Sequence, residues 1–457
     1  REECDFVGLT LLEFVALFVT VMFLSYVVMI LLPFLRRPRT TLGDPGDFDW
    51  HFFIPARDEE AVIVQTMSRT LHDFPAAHLW VIDDASEDNT AGLVQAFAAH
   101  DSHVHLVRRV LPEARTGKGH ALNSAYQALD AWLPLGADRT RTIVVVIDAD
   151  GRLSPDALCY VSSPSVFGNA KIGAAQIAVR MENRDDLGRV ATVSRAGRRF
   201  SKFLVRMQDL EFMTSMSAMQ LLRERTGSVG MGGNGQFSRL TALDEIARRY
   251  ESPWHGALLE DYELGLHILL VGYGNRFVYD TWVEQEGLVS FRRFVAQRAR
   301  WTQGTMQCST YIGEIIRCPN LSNAGVVESC YFLITPWLQV VGVVLWPALL
   351  GLTVFRAVNY TAGPAAFVSQ FWPVAGIAVL FGAMPFIMWG PVYRRMTEHD
   401  MSRTRSVVLG LGNAVYLLYT YVSTARALGR FVMGRRNWVK TRRNAEEVVR
   451  GAVASNV

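Results

Sequence analysis

Residues 141–150 read RTIVVVIDAD, and this stretch decides the fold. Its first part, 141–147, is so rich in β-branched apolar side chains that it predicts a strand buried on both faces. Two acids, Asp148 and Asp150, follow at once, so both carboxylates leave the sheet where the strand ends. A strand of this kind belongs to a sheet that helices cover on both sides.

Strand and helix patterns alternate on the amino-terminal side of this stretch. Short apolar runs predict strands at 51–55, 78–82 and 104–109, and helical spacing predicts helices at 60–73, 87–100 and 118–132. This alternation predicts an α/β fold with a mostly parallel sheet. In such sheets ligands bind at the carboxyl ends of the strands, which is where Asp83, Asp84, Asp148 and Asp150 fall.

Composition favours a membrane protein, because the 457 residues are 50% hydrophobic and only 19% charged. Between Glu13 and Arg36 lie 22 uncharged residues, enough for a helix to cross the ~30 Å hydrocarbon core of a bilayer. Further uncharged stretches of sufficient length run between Glu328 and Arg356, between Arg356 and Arg394, and between Arg405 and Arg426. The middle of the chain reads as a soluble domain.

The first apolar segment is followed by the basic cluster Arg36, Arg37 and Arg39, and it lacks a small-residue cleavage pattern. We therefore expect a retained anchor rather than a signal peptide. Lys and Arg beside a span favour the cytoplasmic side. The cluster thus predicts an integral plasma-membrane protein with its N-terminus outside and its soluble domain in the cytoplasm.

Basic residues near the C-terminus conflict with a simple count of spans. Three further spans would place the cations of 435–443 outside, against the charge rule. Either 406–425 is re-entrant or interfacial, or an earlier apolar stretch is not a span. Gly410, Gly412 and Asn413 weaken 406–425 as a simple span and favour the first alternative.

These features divide the chain into four parts. We expect an N-terminal transmembrane anchor at 1–40, an α/β domain at 41–290, amphipathic interface helices at 291–325, and C-terminal transmembrane helices with a basic cytoplasmic tail at 326–457. The net charge of +3 is too small to indicate nucleic acid, and the cations beside the spans suit contact with anionic lipid. Five cysteines without CxxC spacing predict neither a disulfide framework nor a zinc site.

Acidic pairs follow two of the predicted strands. Asp148 and Asp150 can share a hard divalent cation with a diphosphate, although acids after a strand also cap helices and Ser154-Pro155 can serve that purpose here. Asp83 and Asp84 would face the same crevice, where one of them can accept the imide N–H of a uracil. An Asp-rich turn is the plain alternative for this second pair.

A lysine and a glycine-rich segment come next. Lys118 stands between Gly117 and Gly119 at a predicted helix start, where it can approach a phosphate closely. A solvated surface lysine is the alternative. Residues 230–237 hold so many glycines that the backbone must turn sharply or lie against a ligand. The expected ligand is an acceptor sugar, contacted by Gly233, Asn234, Gly235 and Gln236.

Two later motifs suit catalysis and substrate binding. Asp261, beside Glu260, is the expected general base for an acceptor hydroxyl. The alternative is that both acids only stabilise a helix N-terminus through the helix dipole. Gln297, Arg300 and Trp301 share one helical face by their spacing. Arginine can fork onto a diphosphate and tryptophan can pack on a sugar ring, while an aromatic and basic belt at a membrane interface is the alternative.

Taken together, these motifs resemble those of the family 2 inverting glycosyltransferases, especially the membrane-bound, often processive branch with cellulose, hyaluronan, chitin and poly-N-acetylglucosamine synthases. The resemblance covers about 50–310. Its most specific element is QxxRW, here Gln297, Arg300 and Trp301, in the correct order after DD, DxD and ED. It implies a GT-A-like domain on the cytoplasmic side, inserted between transmembrane helices.

The resemblance also implies roles for single residues. Glu59, in a segment similar to the family's PAxNE, would contact the nucleoside, Asp83 and Asp84 the uridine, Lys118 the ribose-phosphate region, and Asp148 with Asp150 the metal diphosphate. Asp261 would be the base with Glu260 beside it, Gln297 and Arg300 would hold the pyrophosphate, and Trp301 the acceptor's terminal sugar. The segment 437–442 resembles the WxKT segment of relatives, which lies on the cytoplasmic side.

The implied activity is that of a metal-dependent UDP-sugar hexosyltransferase that inverts the anomeric carbon with Mg²⁺ or Mn²⁺. The expected acceptor is a hydroxyl of a growing polysaccharide, extended processively with membrane translocation. One alternative is non-processive transfer to a membrane lipid, since the spans are few for a closed channel. Another is a membrane scaffold or transporter with a degenerate nucleotide-binding domain. Expected partners are the UDP-sugar, a glycan or lipid acceptor, and membrane lipids, but no nucleic acid.

Overall fold

The structure, a computed structural model, describes residues 2–187, 194–359 and 363–435. Its strands are β1 (Asp49–Ala56), β2 (His78–Asp84), β3 (Val104–Arg109), β4 (Thr142–Val146), β5 (Arg152–Leu153), β6 (Ile172–Met181), β7 (Gln236–Arg239) and β8 (Gly274–Gln285). The helices of the first half are α1 (Glu2–Leu35), α2 (Ile63–Asp73), α3 (Thr90–Ala98), α4 (Lys118–Trp132), α5 (Ala157–Val161), α6 (Arg195–Glu211) and α7 (Ser217–Thr226). Those of the second half are α8 (Leu240–Tyr250), α9 (Glu260–Leu270), α10 (Phe291–Cys308), α11 (Ile312–Arg317), α12 (Asn323–Val358), α13 (Pro364–Ile387), α14 (Trp389–Met396), α15 (Arg403–Tyr416) and α16 (Tyr419–Val432).

The strands form one eight-stranded sheet in the order β3-β2-β1-β4-β7-β6-β8-β5. Strands β3, β2, β1 and β4 run parallel, and β6 is parallel to β8. Strand β7 is antiparallel to both of its neighbours, and β5 is antiparallel to β8. The predicted mostly parallel sheet is confirmed, and β7 is an inserted exception that the sequence analysis did not predict.

Element boundaries agree best where the local pattern is strongest. Strand β3 and helix α4 match the predicted 104–109 and 118–132. Helices α2 and α3 begin three residues later than predicted, at Ile63 and Thr90. The residues before these helices instead form loops that hydrogen-bond to each other. The Asp88 carboxylate accepts from the Glu60 amide at 3.0 Å, and the Glu60 carboxylate accepts from the Asn89 amide at 3.0 Å.

Both faces of β4 are buried, as its composition predicted. Ile143 and Val145 belong to a core on one face of the sheet, together with residues of α2, α3 and α5. Val144 and Val146 belong to the core on the other face, which α4, α8 and α9 cover. That second core continues to Phe34 at the end of α1 and to aromatic residues of α14, α15 and α16.

Three segments of the described chain are long and apolar enough to cross a membrane: Leu17–Leu35, Asn323–Val358 and Arg403–Val432. The third is broken between α15 and α16, and it has two unlike faces. One face is buried and includes Ser406, Gly410, Asn413, Tyr416 and Tyr419, whereas the other is exposed and apolar, with Val408, Leu411, Val415, Leu418 and Val422. The crossing and orientation of these segments, and the four-part division of the chain, stay predictions. The segment 437–442 lies outside the described residues.

Candidate active site

One cavity of about 560 Å³ opens at the carboxyl ends of the parallel strands. Most of the predicted site residues line it, and they come from each of the motifs between 59 and 301: Glu59, Asp84, Lys118, Asp148, Asp150, Gly233, Asn234, Glu260, Asp261, Gln297, Arg300 and Trp301. Three predicted residues, Asp83, Gly235 and Gln236, are not part of its lining. The motifs from 59 to 301 therefore converge on a single space.

The two acids at the end of β2 separate because successive side chains of a strand point to opposite faces. Asp83 is buried, and its carboxylate accepts from the Ser86 amide at 3.1 Å, which holds the turn after the strand. Asp84 lines the cavity, where it forms a buried ion pair with Arg109 and accepts from the Arg115 amide at 3.0 Å. Of the expected pair, only Asp84 lines the cavity.

The glycine-rich segment is also split. Gly235 has a φ of +68° and donates to the Val146 carbonyl at 3.0 Å, while Gln236 is the buried first residue of β7. Both serve the turn into the sheet rather than the cavity wall. Gln176 of β6, which the sequence analysis missed, fixes the loop by accepting from Gly232 at 2.7 Å and donating to the Asn234 carbonyl at 2.9 Å.

Lys118 connects this loop to the acids after β4. Its ammonium donates to Asp148 Oδ1 at 2.6 Å and to the Gly233 carbonyl at 2.8 Å, so it is not the solvated surface lysine of the plain alternative. Burial lowers the pKa of Lys118, but the carboxylates of Asp148, Glu260 and Asp261 outweigh this and raise it overall. Gly117 adopts a φ of +143° as the helix begins, a conformation that favours glycine.

Glu260 and Asp261 are the first two residues of α9, and both line the cavity. A Cβ added at Gly233 would lie 3.0 Å from Asp261 Oδ2 and 3.2 Å from Lys118 Nζ, so the loop backbone packs closely on this pair. Burial, followed by the neighbouring charge of Glu260, raises the pKa of Asp261 to about 7. Burial likewise raises the pKa of Glu260, against the opposing charge of Lys118. With a pKa of about 7, the Asp261 carboxylate can exchange a proton near neutral pH.

Helix α10 presents Gln297, Arg300 and Trp301 to the cavity on one face. Burial lowers the pKa of Arg300, although Glu260, Asp148 and Asp261 oppose the shift by their charge. Because arginine stays protonated in proteins, Arg300 places a fixed positive charge among these acids. A diphosphate that lay between these acids and α10 would meet the guanidinium of Arg300, which can hydrogen-bond to two of its oxygens at once.

Arg298 packs behind Trp301, a placement that the sequence analysis missed. Its guanidinium lies 4.4 Å from the centroid of the Trp301 ring and donates to Glu211 at the end of α6 at 2.7 Å. The hydroxyls of Tyr416 and Tyr419 donate to the same carboxylate at 2.7 and 2.6 Å. Helices α6, α10, α15 and α16 are thus joined at the cavity wall, which Glu211, Arg298 and Tyr419 also line.

The carboxylates after β4 suit a divalent cation. Asp148 and Asp150 both line the cavity, and the Asp148 side chain is 42% exposed. Among the described residues no group of three or more His, Cys, Asp or Glu side chains could enclose a metal. Mg²⁺ and similar hard cations are usually held by one or two carboxylates together with substrate phosphates and water. The pair therefore fits a metal that arrives with a diphosphate rather than one caged by protein.

The cavity does not end at the sheet. It continues between α12 and α16, where it is lined by Phe332, Thr335, Pro336, Gln339, Tyr419, Thr420 and Ser423. Both helices belong to segments that are long and apolar enough to cross a membrane. The acids at the carboxyl ends of the strands and the polar residues of these two helices consequently share one continuous space.

Comparisons with known proteins agree with this arrangement. Two proteins called beta-monoglucosyldiacylglycerol synthase are similar along most of the chain. The one from Trichormus variabilis is 26% identical over 85% of this chain and 75% of its own length, and the one from a Nostoc species is 25% identical over the same shares. A solved mannosyltransferase from Pyrobaculum calidifontis, in complex with GDP-Man and Mn²⁺, covers 90% of this chain and 95% of its own, with a TM-score of 0.54 and 16% identity.

The fold likeness identifies the α/β domain as GT-A-like. The family described as "Glycosyltransferase like family 2" matches residues 49–304, which include every strand of the sheet and all the motif residues that line the cavity. The scaffold or transporter alternative loses its support, because the relatives are enzymes. The chain belongs to the family 2 glycosyltransferases and is a glycosyltransferase.

Proposed function

We propose that this protein transfers a glucosyl group from UDP-glucose to the free hydroxyl of diacylglycerol, in a single step that inverts the anomeric carbon. The similar proteins from Trichormus variabilis and Nostoc carry names that specify a β-glucosyl product on this lipid. Lipid transfer is therefore better supported than the processive polysaccharide synthesis that the resemblance implied.

The continuity of the cavity is the observation that carries this proposal. A diacylglycerol keeps its acyl chains in the bilayer and carries only a small polar end. The space between α12 and α16 offers such an end the hydroxyls and amide of Thr335, Gln339, Thr420 and Ser423 on its way to the acids. These polar side chains lie between helices whose outer surfaces are apolar. The arrangement suits a lipid whose acyl chains stay in the bilayer while its hydroxyl reaches the nucleotide-sugar.

The donor would occupy the sheet end of the cavity. Glu59 and Asp84 lie where the nucleoside would bind, and the Asp84 carboxylate, held by Arg109, can accept an imide N–H of uracil. Lys118, Gln297 and Arg300 surround the expected position of the diphosphate. Asp148 and Asp150 would hold Mg²⁺ or Mn²⁺ there, and the bound cation would neutralise charge on the departing UDP.

Asp261 would act as the base in this reaction. Its carboxylate removes the proton of the lipid hydroxyl as the hydroxyl oxygen bonds to the anomeric carbon and the bond from that carbon to the UDP oxygen breaks. Lys118 and Arg300, as fixed cations, stabilise the charge that UDP carries away. Trp301 presents an apolar ring to the sugar, and Arg298 behind it holds that ring in place. Inversion follows because the hydroxyl approaches from the side opposite UDP.

The product of the purified full-length protein tests the proposal. Incubation with radiolabelled UDP-glucose, diacylglycerol and Mn²⁺ should give one glucolipid by thin-layer chromatography, with one hexose by mass spectrometry. Asp261→Asn should reduce turnover by at least about 10², the lower range for general base catalysis. A polymer that forms without added diacylglycerol would overturn the acceptor assignment, and full turnover in Asp261→Asn would overturn the base assignment.

A further inference from the structure

We propose that an exposed basic face binds the head groups of anionic phospholipids in the membrane that the apolar helices are expected to enter. The face is formed by Arg195, Arg199 and Lys202 of α6 with Arg292 of α10. This site is separate from the cavity, whose lining contains none of these residues. The proposal does not depend on which sugar or acceptor the enzyme uses.

The three cations of α6 are spaced so that they lie on one side of the helix. Their positions, i, i+4 and i+7, correspond to a single helical face, and all three side chains are exposed, as is that of Arg292. Neither 195–208 nor 291–308 contains an acidic residue. Within the described ranges, none of the four has an ion-pair partner. In the part of the chain that the structure describes, no ion pair therefore balances the positive charge of this face.

Helix stability does not explain this pattern. Arg195 and Arg199 lie at or near the first turn of α6, which contains no acidic residue. Cations at this end of a helix are unfavourable, because the helix dipole is positive there, and neighbouring cations also repel one another. A function that needs the charges on this face accounts for their presence.

Two exposed aromatic side chains lie among the cations. Phe200 is 48% exposed and Phe291 is 43% exposed, and their ring centroids are 6.3 Å apart. Exposed phenylalanine beside arginine and lysine is the composition of surfaces that insert at the boundary between head groups and acyl chains. The rings would enter the bilayer surface while the cations remain at the level of the phosphates.

The basic face also adjoins a candidate membrane segment. Phe203, one residue beyond Lys202, packs on Gly412 of α15 so closely that an added Cβ there would lie 2.7 Å from the ring. On the same helix, Val408, Leu411 and Val415 form an exposed apolar stripe. The apolar surface expected to face lipid therefore lies beside the cations. This continuity favours a membrane over an acidic protein as the occupant, and negative lipid supplies the complementary charge.

Photo-crosslinking tests the proposal on the full-length protein in lipid nanodiscs. A photoreactive phosphatidylglycerol should label peptides from 195–208 and 291–308, as mapped by mass spectrometry, and a phosphatidylcholine probe should label them much less. Arg195→Gln/Arg199→Gln/Lys202→Gln should reduce the phosphatidylglycerol labelling at least about fivefold, the factor expected for even one lipid-facing cation. The matched control Arg69→Gln/Arg108→Gln/Lys171→Gln removes three exposed cations elsewhere on the domain and should label as the wild type does.

A second measurement uses only the wild-type protein, so misfolding of a variant cannot affect its result. In the wild-type protein, raising the salt concentration from 50 to 500 mM should weaken phosphatidylglycerol labelling and leave phosphatidylcholine labelling unchanged, because exposed charges are screened. Equal labelling by both probes, or labelling that persists in the triple variant of α6, would overturn the proposal. Either result would leave the glucosyltransferase assay unaffected, so this inference and the proposed function fail separately.

Discussion

Asp261 is the single residue on which the proposed chemistry depends most directly. Its pKa of about 7 arises first from burial and then from the charge of Glu260. A base works only when it is deprotonated, so kcat/KM should rise with pH through about 7 and level off above it. Glu260→Gln removes the neighbouring charge, which lowers the pKa of Asp261. The rising limb of the pH profile should therefore move to lower pH in this variant.

The pH profile must be measured on both proteins between pH 5 and 9, whatever the absolute rate of the variant. Glu245→Gln, on α8 and outside the cavity lining, is the control and should keep the wild-type limb. If the limb stays in place in Glu260→Gln, then Glu260 does not set the protonation of the base, and the pairing inferred for these two acids is wrong.

Asp150 is the residue that tests the metal directly. Because the protein offers a pair of carboxylates rather than a closed cage, each should contribute a large share of the affinity. Asp150→Asn should raise the apparent Kd for Mn²⁺, measured in the presence of UDP, at least about tenfold. Asp156→Asn, a change at an acid six residues further along the chain that does not line the cavity, serves as the control. Equal affinity of Asp150→Asn and wild type would remove Asp150 from the metal site.

Helices α6, α10, α15 and α16 are joined by a buried charge cluster around Glu211 and Arg298. Both side chains are less than a tenth exposed. Loss of one member of such a pair typically costs about 3–5 kcal/mol, since the other charge stays buried without compensation. Arg298→Met should therefore lower Tm sharply. It should also raise the KM for the donor more than that for the acceptor, because Trp301, the ring proposed to pack on the transferred sugar, loses the cation behind it.

The double variant Arg298→Met/Glu211→Leu separates charge from packing. Apolar replacement of a whole buried pair is often close to neutral, so the double variant should be more stable than Arg298→Met alone. Differential scanning fluorimetry on the detergent-solubilised proteins measures this. A double variant whose loss of Tm equals the sum of the two single losses would show that the pair is not coupled.

These same elements show what the sequence could and could not predict. Strand β4 was predictable because its pattern reports burial on both faces, and α4 because its glycine start and helical spacing are local signals. The contact of Arg298 with Glu211 was not predictable, since 87 positions separate them and no periodicity relates them. That Asp83, Gly235 and Gln236 lie outside the lining of the cavity was unpredictable for another reason. A motif names neighbouring residues, whereas the strand directs successive side chains to opposite sides.

At the scale of the molecule, the sheet shares a core with the helices that are long and apolar enough to cross a membrane. Phe34 of α1 and Tyr416 and Tyr419 near the α15–α16 junction belong to the same buried cluster as Phe53 and Ile82 of the sheet. The cavity crosses this boundary too. This shared core holds the candidate active site in a fixed position relative to the apolar helices, which the proposed transfer to a lipid requires and transfer to a soluble acceptor does not.

The amino-terminal end of the sheet, opposite the cavity, holds a histidine cluster, and we expect this cluster to make the stability of the protein depend on pH. His78 stacks on both His51 and His105, and His105 stacks on Trp80. The ring of Trp132 packs edge-on against His51. Burial, and then the neighbouring His78 and His105, lowers the pKa of His51 to about 3. Burial, and then His105 and His103, lowers that of His78 to about 4. Burial lowers that of His105 as well.

Each of these groups binds its proton more readily in the unfolded chain, where the pKa is near 6.5, than in the folded protein. Their contribution to stability is thus fully present above pH 6.5 and is lost as the pH falls toward the folded values. For His51 alone the loss between pH 7 and 5 amounts to about 2 kcal/mol. Tm should fall over this range, and it should fall less in His51→Asn, which can still accept from the Trp80 indole as His51 does at 3.1 Å. His100→Asn, the same change at an exposed site, should follow the wild type. A fall in Tm that His51→Asn leaves unaltered would place the acid sensitivity elsewhere.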